Sequence, residues 1–202
     1  PYKIYQEANG QARQFIPARV WDNPTLIQND PEYIKRLEQL PDKERRMLLE
    51  GDWNVFEGQY FNEWRSEKHV VNPFAIPAGW KRFRSIDYGG TAPFCCKWYA
   101  LDQDGCIWAY REYYQAGNLA SVSGQAVAQL SVGENYEYTT IDPSVFSKTH
   151  TGESIADVLI RNGVFGLLPA SNDRIAGWNS VKEYLHWTEQ KPPKLRYFKT
   201  CV

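Results

Sequence analysis

The segment Trp80-Lys-Arg-Phe-Arg-Ser-Ile-Asp-Tyr-Gly-Gly-Thr-Ala-Pro-Phe94 constrains this chain most. Apolar and polar side chains alternate from Trp80 to Ile86, the two-residue period of a half-buried strand. The run ends on Asp87, and two glycines after Tyr88 open a turn. A carboxylate at a strand end, beside a flexible turn, is placed to meet a divalent cation. The stretch Tyr136-Glu-Tyr-Thr-Thr-Ile-Asp-Pro-Ser144 reads as another strand that closes on Ile-Asp, so Asp142 repeats the arrangement of Asp87. Two such strands point to one metal site at the edge of a sheet. The competing reading is that each Asp only opens a loop or caps a helix.

The order of the remaining periodicities defines the sheet. A strand over about 81–88 precedes Phe94–Leu101, an Asp102-Gln-Asp-Gly105 turn and a third strand, Cys106–Tyr114. The Asp-Gly pair between aromatic, β-branched runs is a hairpin signal. Leu119, Val122, Ala126, Val127 and Leu130 then recur at helical spacing. After the Asp142 strand, Thr151 is a candidate cap for a helix holding Ile155, Val158 and Leu159, closed by Gly163. Phe165–Pro169 reads as a strand, Ile175, Trp178, Val181 and Leu185 as a third helix, and Leu195–Cys201 as a last strand. The order β-β-β-α-β-α-β-α-β predicts a mixed α/β sheet, with three antiparallel strands, then parallel additions, and helices on both faces. A helical crossover lets the Asp142 strand lie parallel to the Asp87 strand, about 4.8 Å away, so that matched acids share a cation. Oxygen ligands suit Mg²⁺ or Mn²⁺, and two ions about 4 Å apart can clamp both oxygens of a phosphodiester displacement.

Residues 1–76 read differently, as an irregular and helical arm too small for an independent core. Asp30 is a candidate cap for a helix with Tyr33, Ile34 and Leu37 on one face, stopped by Pro41. A second short helix carries Met47, Leu48 and Leu49 up to Gly51, and a linker ends in Asn-Pro-Phe-Ala-Ile-Pro (72–77). The expected division is therefore 1–76 and 77–202. With 43% hydrophobic residues the chain can build a core, and no run approaches a membrane span. Its net charge of −1 confines any nucleic-acid surface to a local patch. Cys95, Cys96, Cys106 and Cys201 form no C-x-x-C pair and read as buried free thiols of an intracellular protein.

Several short motifs together resemble the large terminase subunit of tailed bacteriophages, the motor that packages and cuts viral DNA. They are Phe-Ile-Pro-Ala (15–18), Asp-Asn-Pro (22–24), Leu-Leu-Glu-Gly-Asp-Trp (48–53), Ile-Asp-Tyr-Gly (86–89), Arg-Glu-Tyr-Tyr (111–114), Ile-Asp-Pro (141–143) and Gly-Trp-Asn-Ser-Val (177–181). The resemblance implies the end of an ATPase domain and a linker over 1–76, then a nuclease domain of ribonuclease H-like fold. By position, Asp87 matches the family's first-strand metal ligand and Asp142 the acid of its fourth strand, for two Mg²⁺ or Mn²⁺ ions. The family's third acid lies in a later Asp-rich motif, and the sequence stops at Val202 before one. No G-x-x-x-x-G-K-[ST] phosphate loop is present, so the resemblance implies a fragment without the ATP site, with little or no cutting of its own. The implied partners are double-stranded DNA, a portal protein and a small terminase subunit, in the host cytoplasm and transiently at the procapsid portal.

The other polar candidates have simpler readings. Glu112, about 10 Å from Asp87, is expected to be solvated or salt-bridged, and Asp173 to compensate a helix N-terminus. His150, in the polar loop 147–152, is a candidate phosphate contact or simply a solvated loop histidine, and His69 and His186 have no partner pattern. Arg84, Lys148 and Arg174 are candidate contacts to the DNA backbone, or simply solvated charges. Three functions follow: a metal-dependent DNA endonuclease, a non-catalytic DNA-gripping or portal-docking module, and a carbohydrate-active protein suggested by paired acids and many aromatics.

Overall fold

A computed structural model describes residues 3–6, 12–15, 19–51, 60–89, 92–148 and 152–201. The chain divides into Pro1–Asn62 and Glu63–Val202. In the first unit, β1 (Lys3–Gln6) and β2 (Ala12–Phe15) pair antiparallel. Three short helices follow, α1 (Pro24–Asn29), α2 (Tyr33–Glu38) and α3 (Asp42–Leu48). Asn23 caps α1, its Oδ1 accepting from the Leu26 amide at 3.1 Å, and Pro24 opens it; Asn-Pro is a helix start absent from the sequence reading. Asp30 does not cap α2 with its side chain: its carboxylate is paired with Arg36. Val20, Leu37 and Leu49 form a small buried cluster, so this unit has a modest core of its own. Met47 and Leu48 stay exposed.

The second unit begins before the expected linker ends. α4 (Ser66–His69) leads into β3 (Val70–Val71), and β4 (Lys81–Asp87), β5 (Phe94–Leu101) and β6 (Ile107–Gln115) follow. Next come α5 (Ala120–Leu130), β7 (Thr139–Ile141), α6 (Ile155–Arg161), β8 (Leu167–Pro169), α7 (Arg174–Leu185) and β9 (Leu195–Phe198). They form one mixed sheet in the order β3-β9-β6-β5-β4-β7-β8. β4, β5 and β6 are antiparallel; β7 joins β4 in parallel, and β9 joins β6 in parallel on the other side. The division therefore falls after Asn62, not after residue 76. Two-residue β3 is too short to show a period, yet it pairs with β9, and His69 beside it is wholly buried with Nε2 2.8 Å from the Leu185 carbonyl oxygen.

Parity along the strands separates two faces. Ile86, Cys96, Trp98 and Ala100 point into a core shared with Val127 of α5, Ile141 of β7 and Leu159 of α6. Phe83, Ser85 and Asp87, with Cys95, Lys97 and Tyr99, lie on the opposite face. Ser154 caps α6 through a capping box with Asp157; the Thr151 cap lies outside the described residues. α7 buries only its end, at Leu185. Ile175 and Trp178, whose spacing marks this helix in the sequence, are exposed.

The β5–β6 turn is held by Asp102, which accepts from the Asp104 and Cys106 amides at 2.9 and 2.8 Å and from the Trp108 indole at 2.8 Å, while Gly105 takes φ +76°. Asp102→Ala leaves these three donors without their acceptor and should lower the unfolding free energy by about 1–3 kcal/mol. Urea denaturation checks this; an unchanged midpoint would mean the hairpin does not depend on Asp102.

Candidate metal centre and nucleic-acid face

The parallel register of β4 and β7 runs Arg84 to Thr139, Ser85 to Thr140 and Ile86 to Ile141. One residue further along each strand stand Asp87 and Asp142. Both isoleucines are buried on the core face, so each following aspartate turns to the opposite face, and both carboxylates are exposed there. Strand spacing puts their backbones about 5 Å apart. The acids occupy the carboxyl ends of interior strands rather than a lateral edge of the sheet.

The local chain shapes each acid differently. Asp87 is followed by a reversal in which Gly89 has no room for a side chain, because a Cβ would collide with the Ala92 carbonyl. Asp142 precedes Pro143 and caps the 3-10 turn Pro143–Phe146, its Oδ1 accepting from the Ser144 amide at 2.7 Å. The Ser144 hydroxyl and amide hold the Asp142 carboxyl below the ordinary carboxylate range, and nearby Arg174 lowers it further. Hydrogen bonds to its charged form thus prevail at Asp142. These hard oxygen donors fit Mg²⁺ or Mn²⁺. No group of three or more His, Cys, Asp or Glu side chains suited to a metal occurs among the described residues.

The remaining candidates separate clearly. Arg174 is exposed and close enough to Asp142 to stabilise its charge, whereas Lys148 is exposed beside Asp157. Arg84 must be corrected. It is only 3% exposed and lies on the core face, where no DNA backbone can reach it. Its Nε donates to Thr139 Oγ1 at 2.9 Å, Nη1 to Ser131 Oγ at 2.8 Å and Nη2 to the Phe165 carbonyl at 3.1 Å, and its guanidinium lies over the Tyr136 ring. Arg84 shares the parity of Ile86, a signal present in the sequence that marks it as inward. It ties β4 to β7, to the end of α5 and to the approach of β8.

Glu112 is salt-bridged to Lys97, Oε2 to Nζ 2.6 Å, as expected. β6, however, is an interior strand. Asp173 caps α7 by accepting from the Ala176 amide at 3.0 Å; His186 is exposed, and His150 lies outside the described residues. Cys95 is the cross-strand partner of Asp87, a position that only the β4–β5 register reveals. All four cysteines are free thiols, with Cys96 and Cys201 buried and Cys95 and Cys106 partly so. The aromatic residues that suggested a sugar site largely pack on one another: Trp98 is fully buried, Trp80 stacks on Trp108, and Phe83 stacks between Tyr99 and Tyr138.

Comparison with solved structures matches this arrangement. The nuclease domain of the phage P22 large terminase superposes with TM-score 0.57 at 18% identity, over 71% of this chain and 74% of that one. The large terminase of a thermophilic bacteriophage, solved in complex with ADP, gives TM-score 0.59 at 20% identity. The fold is that of terminase nuclease domains. It is ribonuclease H-like, as the family resemblance implies. The match covers 91% of this chain and 44% of the thermophilic phage protein, so the chain spans less than half of that relative. No family model and no curated protein matches the sequence.

Replacing Ser144 tests the acid's environment. Ser144→Ala removes the hydroxyl donor but leaves the amide, so the Asp142 pKa should rise toward the ordinary carboxylate value. A ¹³C NMR titration of the Asp142 carboxyl reads the shift; an unmoved titration would mean the hydroxyl does not bond to it.

Proposed function

We propose that Glu63–Val202 is the nuclease module of a viral DNA-packaging terminase, cutting concatemeric double-stranded DNA during genome packaging. The observation that carries this reading is the same-face juxtaposition of Asp87 and Asp142 at matched ends of β4 and β7, within a fold shared with terminase nuclease domains. Asp87 and Asp142 would hold two Mg²⁺ or Mn²⁺ ions. Bound divalent ions supply Lewis-acid stabilisation of charge on both sides of a phosphodiester under attack. The chain's part is to keep both carboxylates ionised and aligned: Ser144 and Arg174 favour charged Asp142, and Arg84 fixes the strand pairing. Arg174 and Lys148 would meet the DNA backbone, a sequence-independent contact. On this reading Pro1–Asn62 corresponds to the end of the ATPase domain and its linker. A portal protein and a small terminase subunit would be partners at the procapsid in the host cytoplasm; no helix among the described residues is long and apolar enough to cross a membrane.

A second reading, a non-catalytic module that grips DNA or docks on the portal, is favoured by the lack of a three-acid cluster among the described residues. Plasmid cleavage in Mn²⁺ separates the two. With no three-acid cluster among its described residues, this chain should cut weakly at best, and a terminase chain that has such a cluster should cut well. In a chain that cuts, Asp87→Asn and Asp142→Asn should each abolish cutting, about a hundredfold or more, while Glu112→Gln should leave most of it. Wild-type rates from Asp87→Asn would refute the nuclease assignment. No cutting by either chain, with DNA binding intact, would support the gripping module.

A further inference from the structure

We propose that the acidic face carries a track for one substrate strand, leading from Asp87 across β5 to Tyr114, whose hydroxyl donates to a backbone phosphate. The inference rests on the nuclease reading and extends it to a residue outside the metal centre. Register places the track: Asp87 pairs with Cys95, and Cys95 with Tyr114, so the three stand in one row across β4, β5 and β6. Two strand spacings put the Tyr114 backbone about 10 Å from that of Asp87. That is about three base steps along a duplex at 3.4 Å each.

Tyr114 is 62% exposed on an ordered strand, a large aromatic held at the end of β6. Its ring and hydroxyl have no partner among the described residues, unlike neighbouring Tyr113, whose ring packs on Phe94 and whose hydroxyl accepts from Asn118. Beside Tyr114 runs an open groove of about 320 Å³ lined by Lys97, Glu112, Thr200 and Cys201. The charges there cancel, since Lys97 Nζ is bound to Glu112 and also approaches the Cys201 carbonyl. A polar, uncharged groove ending on a free phenol suits a nucleic-acid backbone contacted through a neutral donor, and tyrosine is among the side chains that hydrogen-bond phosphate oxygens. The neutral donor also distinguishes this contact from those of Lys148 and Arg174, which would each release counterions on binding.

The test is anisotropy of a fluorescent duplex in Ca²⁺, for the wild-type chain, Tyr114→Phe and Tyr114→Ala, over a series of salt concentrations. Both variants should bind about ten- to a hundredfold more weakly, the loss of one hydrogen bond to a charged group. The slope of log K against log salt should stay the same, and so should the melting temperature and Mn²⁺ affinity. Wild-type affinity in both variants would overturn the track. So would wild-type affinity in Tyr114→Phe alone, because the hydroxyl would then be idle, and so would a shallower salt slope. None of these results depends on cleavage. If the track fails while Asp87→Asn still abolishes cutting, the nuclease reading stands; if Asp87→Asn cuts normally, that reading falls whatever Tyr114 does.

Discussion

The parallel pairing of β4 with β7 is the constraint on which the rest of the unit depends. It is three residues long, and a slip of one residue would carry either aspartate to the core face. Such a short ladder needs support from outside itself. On the core side Ile86 and Ile141 are buried together. Arg84 then bridges β4 to Thr139 of β7, to Ser131 and to Phe165. A buried guanidinium of this kind contributes specificity more than net stability, because its hydrogen bonds must offset the loss of its hydration. Burial lowers its pKa from the usual arginine value, yet arginine remains charged in proteins. The same strand thus uses one parity to lock the register and the other to present the acid.

Much of this was legible in the sequence because it rests on local signals. The alternation of β4, the Asp-Gly turn and the helical spacing after Leu119 each encode one element, and their order selects the topology. The repeated Ile-Asp ending was legible for the same reason: a buried residue followed by an acid specifies a face as well as a strand end. Features set by long-range contact were not legible. The pairing of Val70–Val71 with β9 joins residues more than a hundred positions apart, and two residues carry no period. At Arg84 charge points to the surface while strand parity points inward, and parity prevails. The helix at Ile175 and Trp178 shows the converse, a helical apolar spacing that the fold leaves exposed.

The two faces of the sheet divide the work. One is closed by α5 and α6 over Cys96, Trp98 and Ala100, which fixes the strands rigidly. The other carries half-buried Ser85 and Thr140 and, at the strand ends, exposed Asp87 and Asp142, with Lys97 and Glu112 neutralising one another nearby. A rigid scaffold behind the acid-bearing face suits the proposed nuclease role, in which DNA would lie across the acids while the acids stay still.

The proposed two-ion centre requires that Asp87 and Asp142 share at least one cation. Crystals soaked in Mn²⁺ and measured for anomalous scattering address it most directly. A shared cation gives a peak at ordinary Mn–oxygen distance from both carboxylates in the wild-type chain and none in Asp142→Asn. A peak bound by neither acid, or no peak at saturating Mn²⁺ with the carboxylates turned apart, would contradict it.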